Sequence, residues 1–272
     1  MKLKIWKNTD IIDDYVQDLN FTEIKKEADI AALGGKTIDL AVFPNLKGIF
    51  RIGVGMENVP VSEAKRKGIR VQLPSEETKE YIYDETANFS CYLIFRMLFK
   101  NYGMIDPWVR KPRIAMKEKK LLVIGAGHIG GKVVEKMRPF IRIDTFDTLY
   151  NSLDELDEKM TEADCVTLHI PLTPETNGFL DKRRLSLMKD DAVLINTSRG
   201  PIVSEGALFD EINSGRIAAA FDVFWSKPYL GKLKSFHPER FFMTPHAGSY
   251  CESYLRLAGR DLLIFAKEME SV

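Results

Sequence analysis

Three glycines, Gly125, Gly127 and Gly130, and the carboxylate of Asp147 are the first residues whose types and spacing imply a chemistry. They lie in KLLVIGAGHIGGKVVEKMRPFIRIDTFD, residues 120–147. Four apolar residues there make a short buried strand, GxGxxG follows as a tight turn, and an amphipathic helix runs on until Pro139 stops it. Gly125 permits the turn, Gly127 lets the backbone approach a pyrophosphate, and Gly130 lets helix and strand pack closely. The helix start, with His128 and Ile129, presents free amides to the phosphates. A second strand, 141–146, ends in Asp147, seventeen residues beyond the last glycine. A carboxylate there accepts hydrogen bonds from the adenosine ribose and repels a 2′-phosphate. With no Arg or Lys between Thr145 and Tyr150, the expected cofactor is NAD rather than NADP. The plainer alternative, a glycine turn in an ordinary βαβ unit, is disfavoured because strand, helix and acid occur together.

A nicotinamide implies hydride transfer, so some residues must hold a carbonyl compound and protonate it. The chain has four histidines. His128 sits inside the glycine turn, where its backbone matters more than its ring. His169 stands near a strand end, just before Pro171, as a wall of the cofactor site. His237 is in a polar loop, SFHPER. His246, in FFMTPHAGS, closely follows a strand end, where open α/β folds bind ligands, and is the candidate acid/base. Arg199, in LINTSRGP, also stands just past a strand end. A guanidinium there can hold a carboxylate through two parallel bonds; the alternative is a solvated surface arginine.

The scaffold that positions these groups has 272 residues, enough for one large or two modest domains, and its 45% hydrophobic content supplies real cores. Lys plus Arg and Asp plus Glu both number 39, so neither nucleic acid nor an anionic membrane is an expected partner. No apolar run reaches the length of a membrane span, and MKLKIWKNTD lacks the core of a signal peptide. Cys91, Cys165 and Cys251 are odd in number and widely spaced; neither a disulfide framework nor a metal site is expected, and a reducing cytoplasm is the natural setting.

Strands are expected at 3–6, 30–33, 40–43, 46–52 and 69–73. A helix from Asp10 would carry Ile11, Ile12, Tyr15, Val16 and Leu19 on one face, and a short one ends at Gly68. A long helix spans 84–100, and 101–119 is a connection. Behind the glycine motif, Ser152 and Glu155 form a capping box, helices start at Asp181 and Ser204, and strands fall at 165–170, 192–195, 217–221 and 241–243. The final helix covers 255–269. This alternation implies an α/β chain with parallel sheets.

The blocks RIGVGMENV, KGIRV, GAGHIGG, ADCVTLHIPLTPETNGFL, LMKDDAVLINTSRGPIVSEGAL, SGRIAAAFDVF and TPHAGS, in this order, give the chain a resemblance to the D-2-hydroxyacid dehydrogenases. The resemblance covers nearly all of it. It implies two Rossmann-like domains with parallel sheets and a cleft between them: a flavodoxin-like substrate domain, 1–86 with 252–272, and an NAD-binding domain, 87–251. It implies reduction of a small 2-oxo acid such as glyoxylate, hydroxypyruvate or phosphohydroxypyruvate, and a homodimer. Arg199 would then bind the substrate carboxylate and carbonyl oxygen, and His246 would be the acid/base. The amides of Val54 and Gly55 would hold the carboxylate, with Asn58 steadying their turn. His169, Pro171, Thr197 and Asp222 would line the NAD site, Asp222 reaching the nicotinamide amide.

Where the family places a glutamate that pairs with the histidine, this chain reads FDVFWSKP and has Lys227. A cation a few ångströms from the imidazole disfavours its protonated form, by up to about 4 kcal/mol at 4 Å and an effective dielectric of 20. Three readings follow. Lys227 swings into solvent and leaves His246 unaided; or it grips a second anionic group beside Arg199 and Arg51; or the protein binds NAD(H) without turnover, as a regulator. The segment between Arg96 and Gly125 is also shorter than the family's dimerisation arm, so a reduced dimer interface is expected.

Overall fold

The computed structural model describes residues 2–271. The chain divides into two compact units, 1–82 with 250–272 and 83–249.

In the first unit the strands are β1 (Ile5–Lys7), β2 (Ile30–Leu33), β3 (Gly48–Arg51) and, after helix α1 (Val61–Arg66), β4 (Arg70–Gln72). All pair in parallel, in the order β1-β2-β3-β4. On the far side of β1 a single parallel bridge joins Ile5 to Phe21. That bridge stands where a fifth strand would pair, and with it the sheet has the strand order of a flavodoxin-like domain. Two expectations fail here. The segment after Asp10 is not an α-helix but one 3-10 turn, Asp13–Tyr15, although Ile12, Val16 and Leu19 are buried as its apolar face requires. The apolar run 40–43 is not a strand either. Asp39 accepts a bond from the Ala41 amide at 2.9 Å and caps a 3-10 turn, Leu40–Val42, whose Leu40 and Phe43 side chains still enter the core. A run of four apolar residues carries too little periodicity to separate the two outcomes.

Helix α2 (Glu76–Leu98) starts eight residues before the expected boundary and runs into the second unit. A two-stranded hairpin, β5 (Gly103–Met104) with β6 (Val109–Arg110), occupies the connection. The sheet of the second unit then comprises β7 (Lys120–Ile124), β8 (Arg142–Phe146), β9 (Cys165–Leu168), β10 (Val193–Asn196), β11 (Ala218–Phe221) and β12 (Phe241–Met243). Between them lie α3 (His128–Met137), α4 (Leu153–Glu162), α5 (Lys182–Leu187) and α6 (Glu205–Asn213). The sheet is wholly parallel, in the order β12-β11-β10-β9-β7-β8.

Its strands are apolar on both faces, and the period of two sorts them. Leu122, Ile124, Val166, Leu168, Leu194, Ala219 and Phe221 point into one core with α4, α5 and α6. Leu121, Val123, Cys165, Val193, Ile195, Ala218 and Ala220 point into the other, with α2 and α3. The capping box at the head of α4 is present, Ser152 and Glu155 each accepting from the other's backbone amide. The last helix, α7 (Glu252–Glu270), belongs to the first unit, where Phe265 packs on Phe50.

Candidate active site

Because all six strands of the second unit run the same way, their carboxyl ends share one edge of the sheet. Every residue of this unit that the sequence singled out follows such an end: Gly125 after β7, Asp147 after β8, His169 after β9, Thr197 and Arg199 after β10, Asp222 after β11 and His246 after β12. Strand order reverses between β7 and β9, and that is where an open parallel sheet forms its ligand crevice.

The glycine turn fits a dinucleotide. Gly125 has φ +91, and a Cβ on it would stand 2.7 Å from the His169 carbonyl oxygen across the switch point. A Cβ on Gly130 would stand 1.8 Å from the Gly125 oxygen, so only glycine allows α3 to start this close to the strand. Gly127 meets nothing within 4 Å, which leaves its surroundings open for a pyrophosphate. It is also the N-cap of α3, with no side chain bonded to the first amides, so those of His128, Ile129 and Gly130 remain for an anion. Asp147 reaches back into the turn, its Oδ2 accepting from the Ala126 amide at 3.2 Å and its Oδ1 from Leu149 at 3.1 Å. The His128 ring stacks on Tyr83 of α2, with centroids 4.6 Å apart and planes 3° from parallel.

Behind the turn, burial pushes the His169 imidazole down to about 3, so it is neutral, and Thr167 Oγ1 lies 3.0 Å from its Nε2. Pro171 is exposed, its carbonyl accepting from Thr176. Thr197 is buried. Ser90 donates to the Thr86 carbonyl at 2.7 Å, so the 2.8 Å contact between the two hydroxyls must be donated by Thr197.

The loop that presents Arg199 is tightly held. Asn196 Nδ2 donates to the Arg199 carbonyl at 2.9 Å while its Oδ1 accepts from the Ser198 amide at 3.0 Å, and Ser198 Oγ donates to the Leu168 carbonyl at 2.7 Å. A Cβ on Gly200 would stand 2.3 Å from the backbone carbon of Phe224. The half-buried Arg199 side chain donates from Nη1 to the Ser198 carbonyl at 2.7 Å.

Asp222 is 1% exposed and organises the histidine turn. Its Oδ1 accepts from Thr244 Oγ1 at 2.6 Å and from the Ala247 amide at 2.8 Å; its Oδ2 accepts from the Gly248 amide at 2.9 Å. Burial raises its pKa, and these three bonds together with the charge of Lys227 oppose the rise. Within the turn His246 adopts a left-handed backbone, φ 61, and its amide donates to the Thr244 carbonyl at 3.0 Å. A non-glycine residue in that region costs of order 1–3 kcal/mol unless its surroundings hold it, as Asp222 does here. Lys227 and His246 are both exposed, and Lys227 Nζ lies against His246 Nδ1.

In the first unit, Val54 and Gly55 lie in a turn held by the two residues picked out beside it. Arg51, 7% exposed, donates from Nε to the Gly55 carbonyl at 2.7 Å and from Nη1 to the Leu33 carbonyl at 3.0 Å. Asn58 donates to the carbonyls of Gly34 and Lys36, both at 2.8 Å. Sequence reasoning missed Tyr83, Ser90 and Thr244. Tyr83 and Ser90 stand in no motif, and Thr244 opens the TPHAGS block without its role showing there; each is recruited by a partner more than twenty residues away, which no local pattern marks.

The family model of the D-isomer specific 2-hydroxyacid dehydrogenase NAD-binding domain matches residues 106–248. A glyoxylate reductase of Pyrococcus furiosus is 31% identical over 280 residues, covering 90% of this chain and 82% of that protein. A hydroxypyruvate reductase of Thermotoga maritima is 29% identical, covering 80% and 76%. A D-3-phosphoglycerate dehydrogenase of Methanocaldococcus jannaschii is 30% identical over 84% of this chain, which spans only 45% of that longer protein. The fold matches a D-lactate dehydrogenase of Aquifex aeolicus solved with NAD and lactic acid, with a TM-score of 0.83 at 23% identity over 98% of this chain and 95% of that one. The chain belongs to the D-isomer specific 2-hydroxyacid dehydrogenase family and is an NAD-dependent oxidoreductase.

Proposed function

We propose that the protein reduces a small 2-oxo acid, such as glyoxylate, hydroxypyruvate or phosphohydroxypyruvate, to the corresponding 2-hydroxy acid. The observation that carries this reading is the shared sheet edge: Arg199 follows β10 and the His246 turn follows β12 on the same carboxyl edge at which β7 and β8 present the glycine turn and Asp147. Arg199 binds the substrate carboxylate and polarises the carbonyl oxygen, which Lys in its place would do less well for want of a planar fork. In the other unit, Val54 and Gly55 offer backbone amides of the kind that suits a carboxylate, and Arg51 and Asn58 fix the loop that presents them. The Asp222 carboxylate sets the His246 turn, and His246 protonates the alkoxide. NAD(H), when bound, supplies the hydride equivalent. In this reading 1–86 with 252–272 binds the organic acid and 87–251 the nucleotide.

Glyoxylate, hydroxypyruvate, pyruvate, oxaloacetate and phosphohydroxypyruvate, tested for NADH oxidation over pH 5.5–10, supply the check. Turnover of at least one is expected; tight NADH binding with no turnover across the panel refutes the reading in favour of a regulatory NAD(H)-binding protein.

The working form is a homodimer in the cytoplasm. Among the described residues no helix is long and apolar enough to cross a membrane. Tyr102, Ile105 and Trp108, on and around the β5–β6 hairpin, are 67%, 79% and 79% exposed, an apolar cluster suited to contact with a second copy. Sedimentation equilibrium with Trp108→Glu and Ile105→Glu tests it; a wild-type monomer at micromolar concentration rules it out.

A further inference from the structure

We propose that Lys227 is the positioning residue and proton reserve of His246, in a lysine–imidazole pair that delivers its proton to substrate through the ring. The proposal rests on the reductase reading above. An ammonium carries three donors and no acceptor, so at the contact between Lys227 Nζ and His246 Nδ1 the nitrogen of the ring must be the acceptor. The imidazole is then neutral, with its proton on Nε2, the nitrogen turned away from the lysine. The other distribution of the same proton, an imidazolium beside a neutral amine, is disfavoured by the gap of about four units between ordinary lysine and histidine pKa values.

The turn supports this placement. His246 is flanked by two fixed points, its own amide on the Thr244 carbonyl and the Ala247 amide on Asp222. Charged groups on this stretch of the sheet edge include Asp222, whose carboxylate attracts Lys227, and Arg199, which follows β10; His237, whose Nδ1 accepts from the Met243 amide, is a titratable group beside β12. The Nδ1 of His246 is met by Lys227. The pair therefore differs from a carboxylate–imidazole pair in sign. A carboxylate would accept a proton from Nδ1 and hold an imidazolium; the ammonium donates to Nδ1 and fixes the Nε2–H tautomer.

The proton step balances. As hydride reaches the carbonyl carbon, the oxygen takes the Nε2 proton; the O–H bond forms and the Nε2–H bond breaks. The electron pair left on Nε2 redistributes through the ring, and Nδ1 takes a proton from Lys227 as the Nζ–H bond breaks. The ring ends neutral in its other tautomer, the alkoxide is neutralised, and the exposed lysine amine recovers its proton from water. An imidazolium acid loses activity as pH rises past the histidine range. A lysine reserve keeps reduction going until the ammonium itself titrates.

The test uses the full chain and its Lys227→Met variant, with kcat and KM for reduction of the active 2-oxo acid over pH 5.5–10 and the ¹H–¹⁵N spectrum of the His246 ring, assigned with His246→Gln. In the wild type the ring should be the Nε2–H tautomer at pH 7, and kcat should fall only on the alkaline side. In Lys227→Met the ring should titrate near its ordinary value of about 6.5. The falling limb of kcat should move there, with about a 10²-fold loss at pH 8.5 while KM changes little. A wild-type ring that is Nδ1–H or doubly protonated at pH 7, or a variant with the wild-type profile, overturns the pair and leaves the reductase reading standing. Absence of turnover with every 2-oxo acid overturns the reductase reading and the proton role with it.

Discussion

Removing the Asp222 carboxylate should loosen the His246 turn and the second unit together. Three donors converge on it: Thr244 Oγ1 at 2.6 Å, and the amides of Ala247 at 2.8 Å and Gly248 at 2.9 Å. Asp222→Ala leaves all three without an acceptor. Each buried donor so stranded costs about 1–3 kcal/mol. Gly248 is buried while Thr244 and Ala247 are half-buried and can find water, so the total is about 3–5 kcal/mol rather than three times the upper limit. Asp222→Asn keeps an oxygen for Thr244 and Ala247 but sets an amide NH₂ against the Gly248 N–H, and should cost about 1–3 kcal/mol. Urea unfolding followed by circular dichroism measures both; at a slope of about 3 kcal/mol per molar the alanine midpoint falls by about 1 M or more.

The pH dependence adds a sign. Burial raises the Asp222 pKa in the folded protein. Its stabilising contribution is therefore complete below the unfolded value of about 3.9 and is lost as pH rises through the higher folded value. The deficit of Asp222→Asn against wild type should then be widest in acid and should narrow as pH rises. A midpoint for Asp222→Ala within about 0.3 M of wild type, or a deficit that grows with pH, refutes the reasoning.

Other expectations are more local. His169 is held neutral by burial, at about 3 against an unfolded value of 6.5, so the stability it contributes is complete above 6.5 and is lost as pH falls toward 3. His169→Gln should therefore lose less stability than wild type between pH 7 and 4.5, as read from urea midpoints. Gly127→Ala faces open space and should unfold like wild type yet bind NADH at least tenfold more weakly by fluorescence titration. Gly130→Ala, whose Cβ meets the Gly125 oxygen, should lose about 1–3 kcal/mol of stability as well. Burial pushes the Cys91 thiol up to about 11 and that of Cys165 further, so in the native protein only the half-buried Cys251 should react promptly with a thiol reagent at pH 8.

Local sterics made the nucleotide turn legible. The strand, the three glycines, the helix and Asp147 are contiguous, and each role depends on neighbours within a turn or on backbone angles that only glycine adopts freely. The capping box at Ser152 and the stop of α1 at Gly68, with φ +68, were readable for the same reason. The segment after Asp10 was not. Its apolar residues have helical spacing and are buried as a helix would bury them. Yet α7 packs against this segment so closely that a Cβ on Gly259 would stand 2.9 Å from the Cβ of Tyr15, and tertiary contact overrides local preference.

By itself, then, the sequence determined the α/β class, the cofactor turn and the identity of Arg199 and His246, because local pattern encodes strand ends and the residues that follow them. It also revealed that a lysine stands at 227, and left three readings of it open: swung into solvent, gripping a second anion, or part of a protein that binds NAD(H) without turnover. Where its side chain lies came only from the tertiary structure. Lys227 meets His246 across 19 residues, and Asp222 meets Gly248 across 26, because β11 and β12 lie side by side with their ends aligned. Strand order is a long-range property of the whole sheet, so neither a proton pair nor a carboxylate holding a turn can be read from residues that are neighbours only after folding.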